Sequence, residues 1–557
     1  MKASALALEK MGLSFVYGAL IILYCAIYAP YGLENNDGGF LLGLSHQFSE
    51  GAGIYDDIIY IRPPASIIFH SINFTSPLGV APVLSSRIVY FVQIGIYSAA
   101  TATLFANYLK LNSIGLLLLA SACFIFNAHN FPPMAWHTVD GIFFSVLAIF
   151  FSVKAQAGAT STKFIKLLLA SLLGLLAALS KQPFYITPIL VGVIASYPLS
   201  LRKLGITVIA TFLGGVLLWI SLTSFLDING MLNAIVSQTS ARDLVSAGVL
   251  NYAQDWYSLR SIITVGPLAS VLLIWAFGRA SGRALVAPAY LRFALILSVT
   301  IYMISFLQVF VFTDRWVSPR SLFDTLFTIT ALVSTIEAIR TRKITWLVLT
   351  ALHGVSWAAS ISWGYTTVAL FSAPSIITIT IVGMELIKGS RTQLAASTIA
   401  SVAAASTFFF GSQFLYSLEG PVRRSDVTVS IGPEFPALRG IWVSATKADE
   451  LRELKILRSK FGENLVVLPN WPLYNTIFDG RNPIGMDWPL NTEVGPFDRV
   501  VQSRLGQVDV ALVFRNANPS PASEGRFGSQ ITQSVIESWS TEDFETKYFD
   551  VYLNPSH

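Results

Sequence analysis

"ENNDGGFLLGLSHQFSEGAGIYDDIIYIRPPAS", residues 34–66, follows directly on the first apolar segment and gathers Glu34, Asp37, Glu50, Asp56, Asp57 and Arg62 into one stretch. Charge of that density is out of place in a chain of 557 residues that is 53 % hydrophobic and only 12 % charged. With a mean hydropathy of +0.60, the composition excludes an ordinary soluble globular protein. Apolar runs of about 17–25 residues, the length a helix needs to cross a bilayer, recur as far as about position 416. The quoted stretch is therefore the loop after the first span, and its ionisable groups sit beside a membrane.

Outward from that loop, candidate spans fall at about 11–30, 84–107, 112–128, 138–154, 164–180, 184–200, 203–225, 259–278, 289–312, 320–339, 344–361, 366–387 and 394–416, about thirteen helices in all. The first follows only Lys2 and Lys10 and lacks a small-residue cleavage site, so it reads as a retained helix, not a removed signal. Lys110, Lys154, Lys166, Arg202-Lys203, Arg279, Arg340 and Lys388 share the side of Lys2 and Lys10, which marks that side as cytoplasmic. The alternation supports an odd number of spans and an external C-terminus. The net charge of +5 has this topological meaning and does not point to nucleic acid. Cys25 and Cys123, the two cysteines, lie in apolar runs and are too few for a disulfide framework or a thiolate metal site.

Beyond about residue 417 the apolar runs vanish and charge rises. Residues 1–416 are expected to form a transmembrane unit whose first external loop is 31–83, and residues 417–557 an external α/β domain. Within it, 446–461 reads as an amphipathic helix, and "NLVVLP", "VDVALVF" and "KYFDVYL" read as short strands. The Pro- and aromatic-rich segment 468–490 is open to two readings, a sugar-stacking surface or a packed irregular loop. No phosphate-binding Gly loop or catalytic triad is evident.

Positive-inside topology makes the other side informative. Arg62, Arg87, Lys181, Arg242, Arg260, Arg315 and Arg320 map there, together with Asp37, Asp56, Asp57 and Asp140. Ionisable groups near membrane depth pair with one another, face a cavity or serve a ligand. In 38–50, Phe40, Leu41, Leu44 and Phe48 share one helical face, which suits a short helix lying in the membrane interface. Asp37 immediately precedes it and can act as its N-cap. Pro63-Pro64 open a second apolar stretch, which puts Arg62 at a helix N-terminus suited to a phosphate. Lys181 in "ALSKQPF" reads either as a second phosphate ligand or as a snorkelling lysine.

The order of these features resembles the first external loop of GT-C glycosyltransferases, with lipid A aminoarabinose transferases and protein O-mannosyltransferases (glycosyltransferase family 39-like) as the nearest in pattern. The residues that carry the resemblance are Asp37, then "GAGIYDD" (51–57), then Arg62-Pro63-Pro64, where the family more often has Lys-Pro-Pro. A second match is "PPMAWHTVDGIFF" (132–144), in which Asp140 stands where the family carries an acidic residue at the head of the fourth helix. The resemblance implies a GT-C-like fold with Asp37 as catalytic base and Asp140 positioning the acceptor or assisting the base. It implies Arg62 as a ligand of the donor phosphate, with Lys181, Arg315 and Arg320 as further donor contacts. Tyr55, Asp57 and His137 are the remaining candidate contacts.

The function expected is that of an inverting glycosyltransferase of the bacterial plasma membrane. It would move a sugar from a polyprenyl-phosphate donor to an acceptor hydroxyl on the external face: an envelope glycan, a glycolipid such as lipopolysaccharide, or a protein. No cofactor and no metal are expected beyond that lipid donor, although Asp56 and Asp57 leave a divalent ion open. Two alternatives stand: a lipid-linked saccharide transporter or flippase, and a GT-C-like ligase or oligosaccharyltransferase that transfers a whole glycan.

Overall fold

The computed structural model describes residues 2–33, 37–75, 77–128, 133–156, 160–224, 226–236, 259–281, 288–311, 319–361, 368–387, 424–469, 471–515, 529–542 and 544–556. The apolar runs become helices. They are α1 (Lys2–Tyr28), α2 (Asp37–Ser49), α3 (Ala65–His70), α4 (Pro82–Ala106), α5 (Ser113–Ala128), α6 (His137–Gln156), α7 (Thr160–Ser180) and α8 (Ile186–Ala195). They continue as α9 (Leu201–Thr223), α10 (Ile228–Val236), α11 (Leu259–Ser281), α12 (Pro288–Val311), α13 (Pro319–Thr341), α14 (Ile344–Ser360) and α15 (Ala373–Ile387).

Each candidate span through 366–387 thus carries a helix, and 394–416 lies outside the described residues. The span at 184–200 narrows to α8, because Pro183 belongs to a 3-10 turn before it (Gln182–Tyr185) and Pro198 cannot continue it. Helices α4, α12 and α13 start on proline, whose missing N–H costs nothing at the first helical position. Helices α4, α6 and α9, with Thr162–Ser180 and Ile263–Ser281, are long and apolar enough to cross a membrane, and shorter apolar helices accompany them. The chain is a multi-pass membrane protein. Helix α9 leaves Phe212, Leu217 and Trp219 exposed, as a lipid-facing surface requires.

Helix α6 packs on α7 and α4, and α11 on α12 and α13. Their shared core holds Tyr90, Tyr97, Phe124, Trp136, Phe184 and Trp346. At one end of this bundle the buried Glu337 accepts from Arg340 Nε at 2.9 Å, and Arg279 pairs with Glu385. The first loop gathers at the opposite end. There Arg87, far from being a free charge, donates from Nη1 to the carbonyl of Ala29 at 2.9 Å and so fastens the end of α1 to α4.

The C-terminal α/β domain carries β1 (Val429–Ser430), β2 (Trp442–Val443), α16 (Ala445–Phe461), β3 (Leu465–Leu468), α17 (Leu473–Ile477), α18 (Asn491–Val494), α19 (Asp498–Leu505), β4 (Val510–Phe514), α20 (Gln530–Ser538), β5 (Ser540–Thr541) and β6 (Phe549–Leu553). The main sheet runs β3-β4-β6-β5. Strands β3 and β4 are parallel, with Val466 opposite Ala511, and β6 is antiparallel to β4. Both β3 and β4 are buried along their whole length, which is why they read as unbroken apolar runs. Ser444 caps α16 by accepting from Lys447 N, and Gly462, at φ +84°, ends it.

The expected interfacial helix is instead a buried one. Every residue of α2 from Gly38 to Gln47 is buried, because the C-terminal domain covers it. Phe40, Leu41 and Leu44 join a core that includes Trp471, Tyr474 and Trp488 of segment 468–490, so these aromatic residues pack in the interior around the short helix α17. Gly39 and Gly43, one turn apart, let the backbones touch. A Cβ on Gly39 would lie 2.6 Å from Leu473, and one on Gly43 would lie 2.9 Å from the Pro472 carbonyl. Gln47 donates to Asp487 Oδ2 at 3.0 Å, and Asn475 and Asn482 donate to Oδ1. Burial pushes the Asp487 carboxyl up to about 7 against the pull of these three amides. Two backbone bonds, Trp442 N to Pro30 O and Gly32 N to Trp442 O, complete the docking.

Gly43→Ala should cost about 1–3 kcal/mol, because the displaced atoms are backbone and a buried carboxylate. Gly18→Ala in α1, which meets nothing within 4 Å, should leave the melting temperature in detergent unchanged or raised. Equal melting temperatures for the two variants would remove the close contact as a determinant of docking.

Candidate active site

The site grows from three short pieces of chain that the fold brings to one end of the bundle. Asp37 is the first residue of α2, inside the helix and not its N-cap. Its carboxylate is half-buried, and among the described residues no hydrogen bond engages it. Burial raises its pKa to about 6, the charges of Lys181 and Arg62 pull it down, and Glu493 pushes it up again. Those three groups are its electrostatic neighbourhood.

Arg62 is buried and bonded through both terminal nitrogens to Glu493: Nη1 donates to Oε2 at 2.8 Å and Nη2 to Oε1. Its guanidinium also lies 5.3 Å from the centre of the Phe40 ring. Helix α3, which follows, is a six-residue turn, so its N-terminus adds little to a phosphate site and the guanidinium is the useful group. The backbone of Arg62 is pinned. Tyr55, held at φ +80°, donates its hydroxyl to the Arg62 carbonyl at 2.8 Å, and Gln182 donates to the carbonyl of Ile61 at 3.0 Å. Tyr55 is thus committed to the loop, not to a substrate.

Lys181 leaves α7 in extended conformation, so its side chain turns inward instead of snorkelling. Its Nζ donates to Thr138 Oγ1 at 2.9 Å. Burial and the charge of Arg62 hold its pKa well below the usual lysine range, while Asp37 and Glu493 raise it. The ring of Phe184 lies over Gly141, where any Cβ would collide with it, and so fixes the turn that carries Lys181.

Asp140, one turn into α6, is fully buried. Its Oδ1 accepts from Gln93 Nε2 at 2.7 Å and lies 3.1 Å from His70 Nε2. Asn73 donates to His70 Nδ1 and accepts from Ser85, which leaves the proton of His70 on Nε2, facing Asp140. Among the described residues Asp140 Oδ2 is buried with no hydrogen-bond partner, as are both ring nitrogens of His137 and the hydroxyl of Tyr60. Arg62, Glu493 and Asp140 all act on Tyr60, whose pKa burial raises. Buried polar atoms are almost always satisfied, so several unspent ones around two acids and two cations mark a place built for a polar ligand.

Asp57 and Asp56 lie elsewhere. They are exposed on the tip of their turn, where Asp57 accepts from Gly53 N at 2.9 Å and both carbonyls accept from Arg504. Among the described residues no group of three His, Cys, Asp or Glu is placed to hold a metal. Arg315 and the side chain of Arg320 lie outside the described residues. His70, Gln93, Tyr60 and Glu493 join the site without having been singled out in the sequence. His70 carried a signal, as an ionisable residue in the first loop.

No protein-family model matches the chain, and no curated protein matches it by sequence. Among solved structures it is similar to the apo oligosaccharyltransferase of Archaeoglobus fulgidus, at 12 % identity over 91 % of this chain and 69 % of that one, with a TM-score of 0.49. It is also similar to ArnT of Cupriavidus metallidurans bound to undecaprenyl phosphate, at 13 % identity over 98 % of both chains, with a TM-score of 0.42. At such identities no residue role passes from either protein to this one.

Arg62→Ala should cost about 3–5 kcal/mol of stability by leaving Glu493 buried without a counter-charge. Arg62→Met combined with Glu493→Leu should recover most of it. Unfolding in detergent reads both, and a double variant no better than Arg62→Ala would show that the pair is not an isolated couple.

Proposed function

We propose that this chain is a GT-C-like membrane glycosyltransferase that uses a polyprenyl-phosphate sugar and acts on the external face. The observation that carries this reading is a half-buried carboxylate, Asp37, without a hydrogen-bond partner among the described residues and flanked by two buried cations. An enzyme outside the cytoplasm meets no nucleotide sugar, so its donor arrives on a lipid.

In the reaction proposed, Asp37 takes the proton of the acceptor hydroxyl as that oxygen attacks the anomeric carbon. The bond from the anomeric carbon to the phosphate oxygen breaks, and its electron pair leaves with the polyprenyl phosphate. Lys181 and Arg62 meet the charge that develops there. A single displacement inverts the anomeric centre. The lowered pKa of Lys181 suits a phosphate ligand, because the arriving anion restores the charge that burial disfavours. Glu493 engages both terminal nitrogens of Arg62 in the resting site, so the phosphate shares the guanidinium with it or displaces it. Asp140, held by Gln93 and His70, offers its free Oδ2 to orient the acceptor. Clustering of the ionisable groups at one end of the bundle, away from its middle, favours an enzyme over a transporter.

Purified protein offered a panel of radiolabelled polyprenyl-phosphate sugars should transfer or release sugar from at least one, and Asp37→Asn should lower that rate about 10²–10⁴-fold. The rate should climb with pH through about 6 as Asp37 ionises. Lys181→Met removes a charge that lowers the Asp37 pKa and should move this limb to higher pH. Glu493→Gln removes one that raises it and should move the limb lower. Wild-type inactivity across the panel would end the proposal, and an unmoved limb would end the assignment of Asp37 as base.

A further inference from the structure

A cleft of about 890 Å³ opens between the first loop and the C-terminal domain, away from the Asp37 site. Helix α2 connects the two. His46 lines the cleft and lies nine residues after Asp37, about 14 Å along the helix at 1.5 Å per residue.

The lining is chemically mixed. Phe74, Phe435 and Phe478 supply aromatic surface, with Phe435 and Phe478 edge to face at 5.7 Å between centroids. Arg439, Lys455 and Arg458 face Glu434, Glu463 and Asp479, so the formal charges cancel. Most are already engaged: Arg458 Nη2 donates to Glu463 at 2.8 Å, and Lys455 lies 5.3 Å from the Phe435 ring centre. Arg439 is exposed and has no carboxylate partner among the described residues. Two further polar atoms of the lining, His46 Nδ1 and Thr476 Oγ1, are buried without a hydrogen-bond partner among the described residues.

A polyanion gains no net attraction from such a surface, and a purely apolar ligand would strip water from its charges without replacing it. A sugar ring answers every element. Its C–H face packs on aromatic rings; its hydroxyls donate to carboxylates and to His46 Nδ1, since His46 Nε2 faces Asp479 at 3.1 Å, and accept from guanidinium and hydroxyl groups. The volume accommodates a short oligosaccharide.

We propose that this cleft is a saccharide-binding site, which holds a distal part of the acceptor glycan. Only the acceptor role rests on the transferase reading; the binding itself does not. The test uses the full-length protein in detergent, with maltotriose, chitotriose and mannotriose as probes and calorimetry or saturation-transfer NMR as readout. At least one trisaccharide should bind saturably. Arg439→Ala and Phe74→Ala should each weaken it at least fivefold, Ala437→Trp, which fills the cleft, should abolish it, and Asp37→Asn should leave it unchanged. Because Arg439 is exposed, its variant tests the site even if Ala437→Trp perturbs folding. If no probe binds, or if binding survives both Arg439→Ala and Ala437→Trp, the proposal falls. Loss on Asp37→Asn alone would place the sugar at the other end of α2 and equally overturn it. None of these outcomes depends on catalysis, so the transferase reading stands or falls separately.

Discussion

The guanidinium of Arg62 and the carboxylate of Glu493 occupy a buried place that neither could hold alone, since an unpaired charge there costs several kcal/mol. Much of the architecture follows from that mutual need. Arg62 belongs to a loop fastened by Tyr55 and Gln182, and Glu493 belongs to the C-terminal domain. Joining them fixes the domain against the loop and encloses α2 between the two. Asp37 inherits its position, and part of its acidity, from this arrangement. The same pair keeps Arg62 occupied in the absence of a competing anion, so the site rests with its strongest cation neutralised.

The membrane helices were legible because each is a long apolar run bounded by charge or proline, and no alternative structure satisfies a backbone in lipid. Asp37, Arg62, Asp140 and Lys181 were legible for a related reason: ionisable residues stand out against so apolar a chain. The strands β3 and β4 announced themselves as short, unbroken apolar runs. The fate of α2 was not legible. Periodicity shows that a helix has an apolar face but not whether lipid or protein covers it, although Gly39 and Gly43, spaced by one turn, were a sign of close backbone approach.

Glu493, Gln93 and Tyr60 could not be read either. Each acquires its importance from distant partners, and nothing local distinguishes Glu493 from other acids of its domain. Asp56 and Asp57 show the converse. Beside Arg62 in sequence they look equivalent to Asp37, yet the glycine-bounded turn that carries them sends both to solvent, and their carbonyls matter more to the fold than their charges.

The distance in sequence between Asp37 and Glu493 has a consequence for how the protein is made. The acid stands near the start of the chain and its distant electrostatic neighbour near the end, with every described membrane helix after α1 between them. During synthesis the first loop emerges long before the residue that neutralises Arg62, and α2 has no second wall until the last domain folds. Completion of the site is therefore a late event in biogenesis. A chain halted before that domain has neither the second wall of α2 nor the carboxylate that pairs with Arg62.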